Sequence, residues 1–321
     1  MDALSDVLKS IRLEGAVYLN VEFTAPWCVR ARFGLACIGE KLARAEHVMF
    51  FHYLVEGTAK LRLIAGSDVI EAGPGDLILF PQDAAHVMGS DLHLTPIDAG
   101  TLEGTDAVDT DFIHVRHGGG GAATRYVCGY VACAKSVARP MLESLPPIVR
   151  IPMGNGPAGT MVRELLRMGV RESNSERPGS ASTLAKLTEL MFVEAMRRHV
   201  ESLPSEGKGW LAGVRDAQVG RALSLMHANP GKAWTVDKLA KESALSRSAL
   251  AERFNALVGE PPMRYLTRWR LALAAQRLRT SRETVARIAD RTGYESEAAF
   301  NRAFKREFGV PPANWRRSAP R

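Results

Sequence analysis

Only four cysteines, few aromatics (7%) and no apolar run near the length of a membrane span occur in these 321 residues. A spanning helix needs about eighteen or more consecutive apolar residues, so none is expected. Four cysteines in a chain this long exclude a disulfide framework, and in a reducing cytosol they are expected as thiols. The opening stretch MDALSDVLKSIRLEGAVYL places acids early and lacks a basic segment followed by a continuous apolar one. It does not read as a signal peptide, and a soluble cytoplasmic protein is expected. The length exceeds what a single core usually supports, which predicts two domains.

What is abundant is positive charge, and it is unevenly placed. The net charge is +7, but residues 213–321 hold 21 Lys and Arg against 10 Asp and Glu, whereas residues 1–212 hold 21 against 25. A basic C-terminal part beside a mildly acidic N-terminal part is the electrostatic pattern of a nucleic-acid binder.

Texture along the chain divides it further. Residues 16–135 carry short apolar runs, Phe50–Val55, Ala59–Ile64, Leu77–Phe80 and Tyr126–Cys133, separated by Gly57, Gly66-Ser67-Asp68, Gly73-Pro74-Gly75 and Gly118–Gly121. Strands at this spacing predict a sandwich or barrel. From residue 158 the period becomes helical, with Met161, Leu165, Leu166 and Met168, then Leu184, Leu187, Leu190 and Met191. These predict two helices in a hairpin whose apolar stripe packs on the barrel or on a second copy of the chain. The expected division is residues 1–157, the hairpin at 158–202 as a possible dimerisation element, a linker at 203–213 rich in Gly, Ser and Pro, and a basic domain at 214–321.

Everything in that last domain reads as helix, and it contains a repeat. Leu239-Ala240 aligns with Ile288-Ala289, and Ala244-Leu245-Ser246 with Gly293-Tyr294-Glu295. After one inserted residue, Phe254, Gly259, Pro261-Pro262 and Tyr265 align with Phe304, Gly309, Pro311-Pro312 and Trp315. Each copy predicts a short helix with a small residue at the crossing point, a tight turn and a longer helix with an apolar inner stripe. That is the plan of a helix-turn-helix, duplicated and joined by a long helix from Pro262 through Leu278. Ala244 stands where the second copy has Gly293, so some strain is expected in the first turn.

The stretch RIADRTGYESEAAFNRAFKREFGVPPANWRR resembles the signature of the AraC/XylS family of bacterial regulators, over about residues 215–318. The resemblance implies two helix-turn-helix units entering successive major grooves of double-stranded DNA. It assigns base-reading positions to Arg247, Ser248, Ala251, Glu252 and Asn255 in the first unit, and to Glu297, Ala298, Asn301, Arg302 and Lys305 in the second. Arg302 can serve a guanine edge, Asn255 and Asn301 adenine, and Glu252 cytosine N4, while the alanines reach at most a thymine methyl. Arg247, Arg253, Lys305 and Arg306 can instead neutralise phosphate. Arg264, Arg268, Arg270, Arg277 and Arg279 on the connecting helix are expected mainly as its solvated face, with those at its ends within reach of phosphate.

FHYLVEGTAKLRL followed by GPGDLILFPQDAAH resembles the paired strands of a cupin barrel, with His86 at the histidine of its second motif and Gly57, Gly75, Asp76 and Pro81 at its turns. Metal-dependent cupins take further ligands from the first motif, where Ala43, Ala45 and Phe50 fall here. Neither a metal nor a cofactor is therefore expected, although His52, His86 and His93 remain as scattered candidates. The histidines of HVRHGGGG flank a glycine run without a phosphate-loop lysine and are expected in a connection.

The whole chain resembles AraC-type regulators with a variant cupin domain, a group that includes members responding to reactive chlorine. In such relatives a cysteine lies at the place of Cys128, and a second falls at Val21, for which Cys28 is the nearest substitute. Cys128 is thus a candidate redox residue, provided nearby cations such as Arg125 acidify it, with the inert core thiol as the alternative. Cys133, five residues on, faces the other side of the strand. The expected fold is α+β and multidomain: an N-terminal cupin-like β-barrel with a helical hairpin, then an all-α double helix-turn-helix. The expected function is a transcription regulator, not an enzyme, gated by a small molecule or oxidant at Cys128, Cys28, His52 or His86. A homodimer is expected, with RNA polymerase as a partner if it activates. The alternative is a cupin enzyme with an accessory nucleic-acid-binding domain.

Overall fold

A computed structural model describes residues 2–11, 18–32, 46–102, 112–154, 156–173, 177–204 and 206–317. In chain order it begins with helix α1 (Ala3–Ile11), strands β1 (Tyr18–Thr24), β2 (Cys28–Ala31), β3 (His47–Glu56), β4 (Ala59–Leu63) and β5 (Ile70–Ala72). Then come β6 (Asp76–Phe80), β7 (His86–Gly89), β8 (Ile97–Asp98), β9 (Phe112–Gly118) and β10 (Ala123–Cys133). Helix α2 (Lys135–Glu143), strand β11 (Val149–Pro152) and helices α3 (Pro157–Ser173) and α4 (Ser180–Ser202) follow. The remainder is helical: α5 (Trp210–Arg215), α6 (Ala217–Ala228), α7 (Val236–Glu242), α8 (Arg247–Val258), α9 (Pro262–Thr280), α10 (Val285–Arg291), α11 (Glu297–Phe308) and α12 (Pro312–Arg317).

These elements form two compact units, one of residues 13–133 and 145–199, the other of residues 1–12, 134–144 and 200–321. The first is a double-layered β structure. A six-stranded sheet runs β11-β6-β3-β10-β1-β9 and a five-stranded sheet runs β5-β4-β7-β2-β8. Pairing is antiparallel except β1 with β9 and β2 with β8. The four expected strands fall on β3, β4, β6 and β10, with Ile64 one residue past the end of β4. Phe23, Trp27, Leu54, Leu61, Ile78, Phe80 and Met88 fill the core. Gly57 turns β3 into β4 at φ 74°, where an added Cβ would lie 2.3 Å from the Ala123 carbonyl oxygen, so no larger residue fits that corner. Asp76 accepts hydrogen bonds from the Gly73 amide (2.8 Å) and Arg150 Nε (2.9 Å), fixing the turn before β6. The histidines expected in a connection lie instead in β9, and the glycines after them form its turn. Helix α3 packs on β1 and buries Val162, Leu165 and Leu166, and α4 buries Leu184, Met191, Phe192 and Met196.

The second unit gathers distant pieces of the chain. In α1, Leu4, Val7, Leu8 and Ile11 are buried at helical spacing, and the helix packs on α6, while α2 packs on α9. Residues 203–213, expected as a linker, run into α5, whose Trp210 and Leu211 are buried. Trp210 Nε1 donates to the Tyr265 hydroxyl (2.8 Å), which lies 2.7 Å from His227 Nε2, and His227 stacks on Trp269 at 4.0 Å. Burial pushes the pKa of His227 down to about 3, against a rise from the Ala3 backbone. The ring is neutral and joins α5, α6 and α9. The Gly, Ser and Pro content of 203–213 disguised this anchor.

Among the described residues no helix is long and apolar enough to cross a membrane.

Candidate functional site

The helical unit presents two matching helix-turn-helix pairs, α7 with α8 and α10 with α11. Thr235 caps α7 through the Lys238 amide and Thr284 caps α10 through the Arg287 amide, both at 3.2 Å. Ser246 caps α8 through the Ala249 amide and Ser296 caps α11 through the Ala299 amide, again at 3.2 Å. Each such cap satisfies an amide that the first helical turn leaves open. Both second helices end on a left-handed glycine, Gly259 or Gly309. The intervening turns need positive φ: Gly293 adopts it at 79°, and Ala244 is held at 55°. An alanine there carries the strain expected from the sequence.

The inner faces are also matched. Leu250 and Phe254 are buried in the first unit, Phe300 and Phe304 in the second. Tyr265 meets Phe254 edge-on at 5.7 Å, as Trp315 meets Phe304 at 5.9 Å. Burying those faces turns the ten candidate base-reading positions outward. Arg247, Ser248, Glu252 and Asn255 are exposed with Ala251 half-buried, and Glu297, Ala298, Arg302 and Lys305 are exposed with Asn301 half-buried. No described residue pairs with Arg302 or Lys305. Arg247 lies 3.6 Å from Asp237, both well exposed, and such a pair is weak.

Several arginines have other work than the expected solvent or phosphate contacts. Arg253 grips Asp216 through Nη2 (2.5 Å) and Nε (3.0 Å), and Asp216 caps α6. Arg270 donates to the carbonyls of Pro230 (2.6 Å) and Lys232 (2.9 Å), bracing the loop before α7. Arg268 pairs with Glu260 at 2.9 Å, Arg277 pairs with Glu283 at 3.2 Å, and Arg279 lies over the Trp315 ring at 4.2 Å. Of the five on α9, Arg264 alone is fully exposed. Sequence spacing could not reveal these partners, because none lies on the helix that carries its arginine.

In the β unit, three of the four candidate sensing residues meet. Register pairs Cys128 of β10 with His52 of β3, and His52 Nδ1 lies 2.8 Å from the Cys128 sulfur. His86 of β7 has its ring 6.0 Å from that of His52 and stacks on Phe80 at 3.9 Å. All three line a cavity of about 60 Å³ with Val21, Phe23, Val29, Met88, Val115 and Tyr126 among its walls. Cys28 does not line it, whereas Val21, the position of a second cysteine in the resemblance, does.

Every titratable group in this wall is held neutral. Burial pushes His52 down to about 3, assisted by His86. It also lowers His86, against the Ala84 carbonyl, and drives the Cys128 thiol and Tyr126 phenol well above their ordinary values. The expectation that Arg125 acidifies Cys128 fails, because Arg125 is committed to Glu22 (2.9 Å) and Glu56 (2.8 Å). The protonated thiol and the neutral His52 ring therefore share a hydrogen bond between uncharged partners. Among the described residues no three His, Cys, Asp or Glu side chains form a metal-binding group. Phe50 is a buried core residue, and Ala43 and Ala45 lie outside the described residues.

Comparison with known proteins follows this division. The cupin family profile matches residues 2–201, and a helix-turn-helix domain profile matches residues 239–318. An AraC-like transcription regulator of Streptomyces lividans is 33% identical over 99% of this chain and 98% of its own. The RCS-specific HTH-type transcriptional activator RclR of Escherichia coli K12 is 30% identical over 98% of this chain and 97% of its own. Among solved structures, the DNA-binding domain of AdpA with a target DNA is 28% identical, covering 32% of this chain and 92% of that one, with a TM-score of 0.31. The relatives matching end to end are transcription regulators, which leaves the enzyme reading without support.

Proposed function

The chain belongs to the AraC family of DNA-binding transcription regulators with an N-terminal cupin domain, and from that premise we propose that α8 and α11 read two successive major grooves while a small molecule in the β-unit cavity gates binding. The observation that carries the reading is the matched outward presentation of the two helices, each capped, ended and buried in the same way. Arg302 serves guanine, Asn255 and Asn301 adenine, and Glu252 cytosine, with Arg247, Ser248, Glu297 and Lys305 as further contacts and Ala251 and Ala298 against thymine methyls or shape. The chain itself supplies a route for the signal: β10, which carries Cys128, runs into α2 within two residues.

The regulator acts in the cytoplasm as a homodimer, with α3 and α4, which leave Met168 and Leu190 exposed, as the pairing surface. If it activates, RNA polymerase is its further partner. Selection of genomic fragments by the purified protein tests the reading. The expected outcome is one enriched promoter motif with two contact blocks, whose retention changes with an added small molecule; unselective retention would overturn it.

A second reading makes Cys128 an oxidant sensor. It is favoured by the similarity to RclR and by the His52 contact, and opposed by the burial that keeps the thiol protonated. On this reading Cys128→Ser retains DNA binding and loses the oxidant response in a reporter assay; an unchanged response excludes it.

A further inference from the structure

The hydrogen-bonding pattern of the cavity identifies the chemistry of its occupant. His86 is 1% exposed, and its Nδ1 lies 2.9 Å from the Ala84 carbonyl. A carbonyl oxygen only accepts, so Nδ1 carries the proton. In the neutral ring Nε2 is then an acceptor. That atom is buried and has no hydrogen-bond partner among the described residues. An unpaired buried acceptor of this kind is costly unless something binds there.

The other polar groups of the wall divide clearly. The Cys128 thiol and His52 Nδ1 engage each other at 2.8 Å. Tyr126 lines the same cavity, and burial keeps its phenol protonated, so it brings a donor. Among the described lining residues there is no Lys, Arg, Asp or Glu, and the rest of that lining is largely aliphatic and aromatic. Against this lining a charged ligand would lose its hydration without a counter-charge, which disfavours carboxylates and ammonium groups. The wall thus offers the unpaired His86 Nε2 acceptor, with the protonated Tyr126 phenol on the same wall, in a largely apolar setting. A hydroxyl, which donates once and accepts as well, suits that acceptor.

We propose that the cavity binds an uncharged small molecule of the alcohol or phenol class, whose O–H is donated to His86 Nε2. This rests on the reading of the cavity as the effector site, and it adds the ligand class. The cavity of about 60 Å³ has room for the hydroxyl and the carbons beside it, so selectivity is set at that head.

The test uses the full-length protein labelled with ¹⁵N-histidine, with 2-propanol, acetone and propionate as probes. Acetone matches 2-propanol in size and lacks the donor. The expected result is that 2-propanol binds about three- to tenfold more tightly than acetone, moves the resonance of the unprotonated His86 nitrogen, and is not rivalled by propionate. Equal binding of 2-propanol and acetone, an unmoved His86 resonance at saturation, or no binding of 2-propanol would overturn the proposal. Operator affinity is read in the same samples. If 2-propanol binds as expected without changing operator affinity, the gating reading falls and the ligand class stands. If acetone and 2-propanol change operator affinity equally, gating stands and the ligand class falls.

Discussion

The first helix-turn-helix, α7 with α8, and the second, α10 with α11, share caps, glycine ends and an aromatic inner face, yet they are secured by different neighbours. The first is tied through Arg253 to Asp216 at the start of α6. The second is tied through Glu307 to Arg139 of α2 at 3.3 Å, with Arg268 of α9 at 3.9 Å. Their turns differ too, with a strained alanine in one and a relaxed glycine in the other. The two copies share what exposes the second helix and differ in what holds that helix to the rest of the unit. The second unit is consequently the one linked to α2, the helix that follows in the chain the strand carrying Cys128.

The largest effect that would sharpen this comparison comes from the inner faces. Phe254→Ala and Phe304→Ala should each cost about 3–5 kcal/mol of stability in chemical denaturation. Phe304 also touches Phe300, Phe308 and Trp315, so its loss should be the greater; a smaller loss than at Phe254 would mean that the two cores are not equivalent in kind. Next in size, Arg302→Ala should weaken binding by about 1–3 kcal/mol and relax preference at one base position. An equal loss on every DNA sequence would demote it to a phosphate contact. The smallest effect lies in the turns. Gly293→Ala should destabilise by about 1–2 kcal/mol, since a Cβ there would face positive φ and the Gly231 oxygen at 2.8 Å. Ala244→Gly should gain about 0.5–1 kcal/mol by relieving the same strain, less the entropy that glycine adds to the unfolded chain. Melting curves of the two variants moving in the same direction would contradict the strain assigned to Ala244.

The duplicated unit was legible in the sequence because its signals are local: the small residues Ala240 and Ala289, the turn positions Ala244 and Gly293, and a repeated spacing of Phe254 and Phe304 ahead of Gly259 and Gly309. Strands β3, β4, β6 and β10 were legible for the same reason, as apolar runs between turn residues. What escaped depends on contacts between residues far apart in the chain. The helical pattern of Leu4, Val7, Leu8 and Ile11 does not say that α1 packs on α6, two hundred residues away. Nor does Arg270 announce that it braces the Pro230 and Lys232 carbonyls. The candidate sensing site stood between these cases. His52, His86 and Cys128 were each visible as residue types, but their convergence depends on the register of β10 against β3, and the use of Nδ1 by Ala84 depends on a loop conformation.

Hydroxyl-radical footprinting of the full-length protein on a selected promoter fragment tests the paired readers most directly. The account predicts, for each protein chain, two protected major-groove segments on one face of the DNA, about one helical turn or ~34 Å apart. Protection of a single groove segment per chain would contradict it.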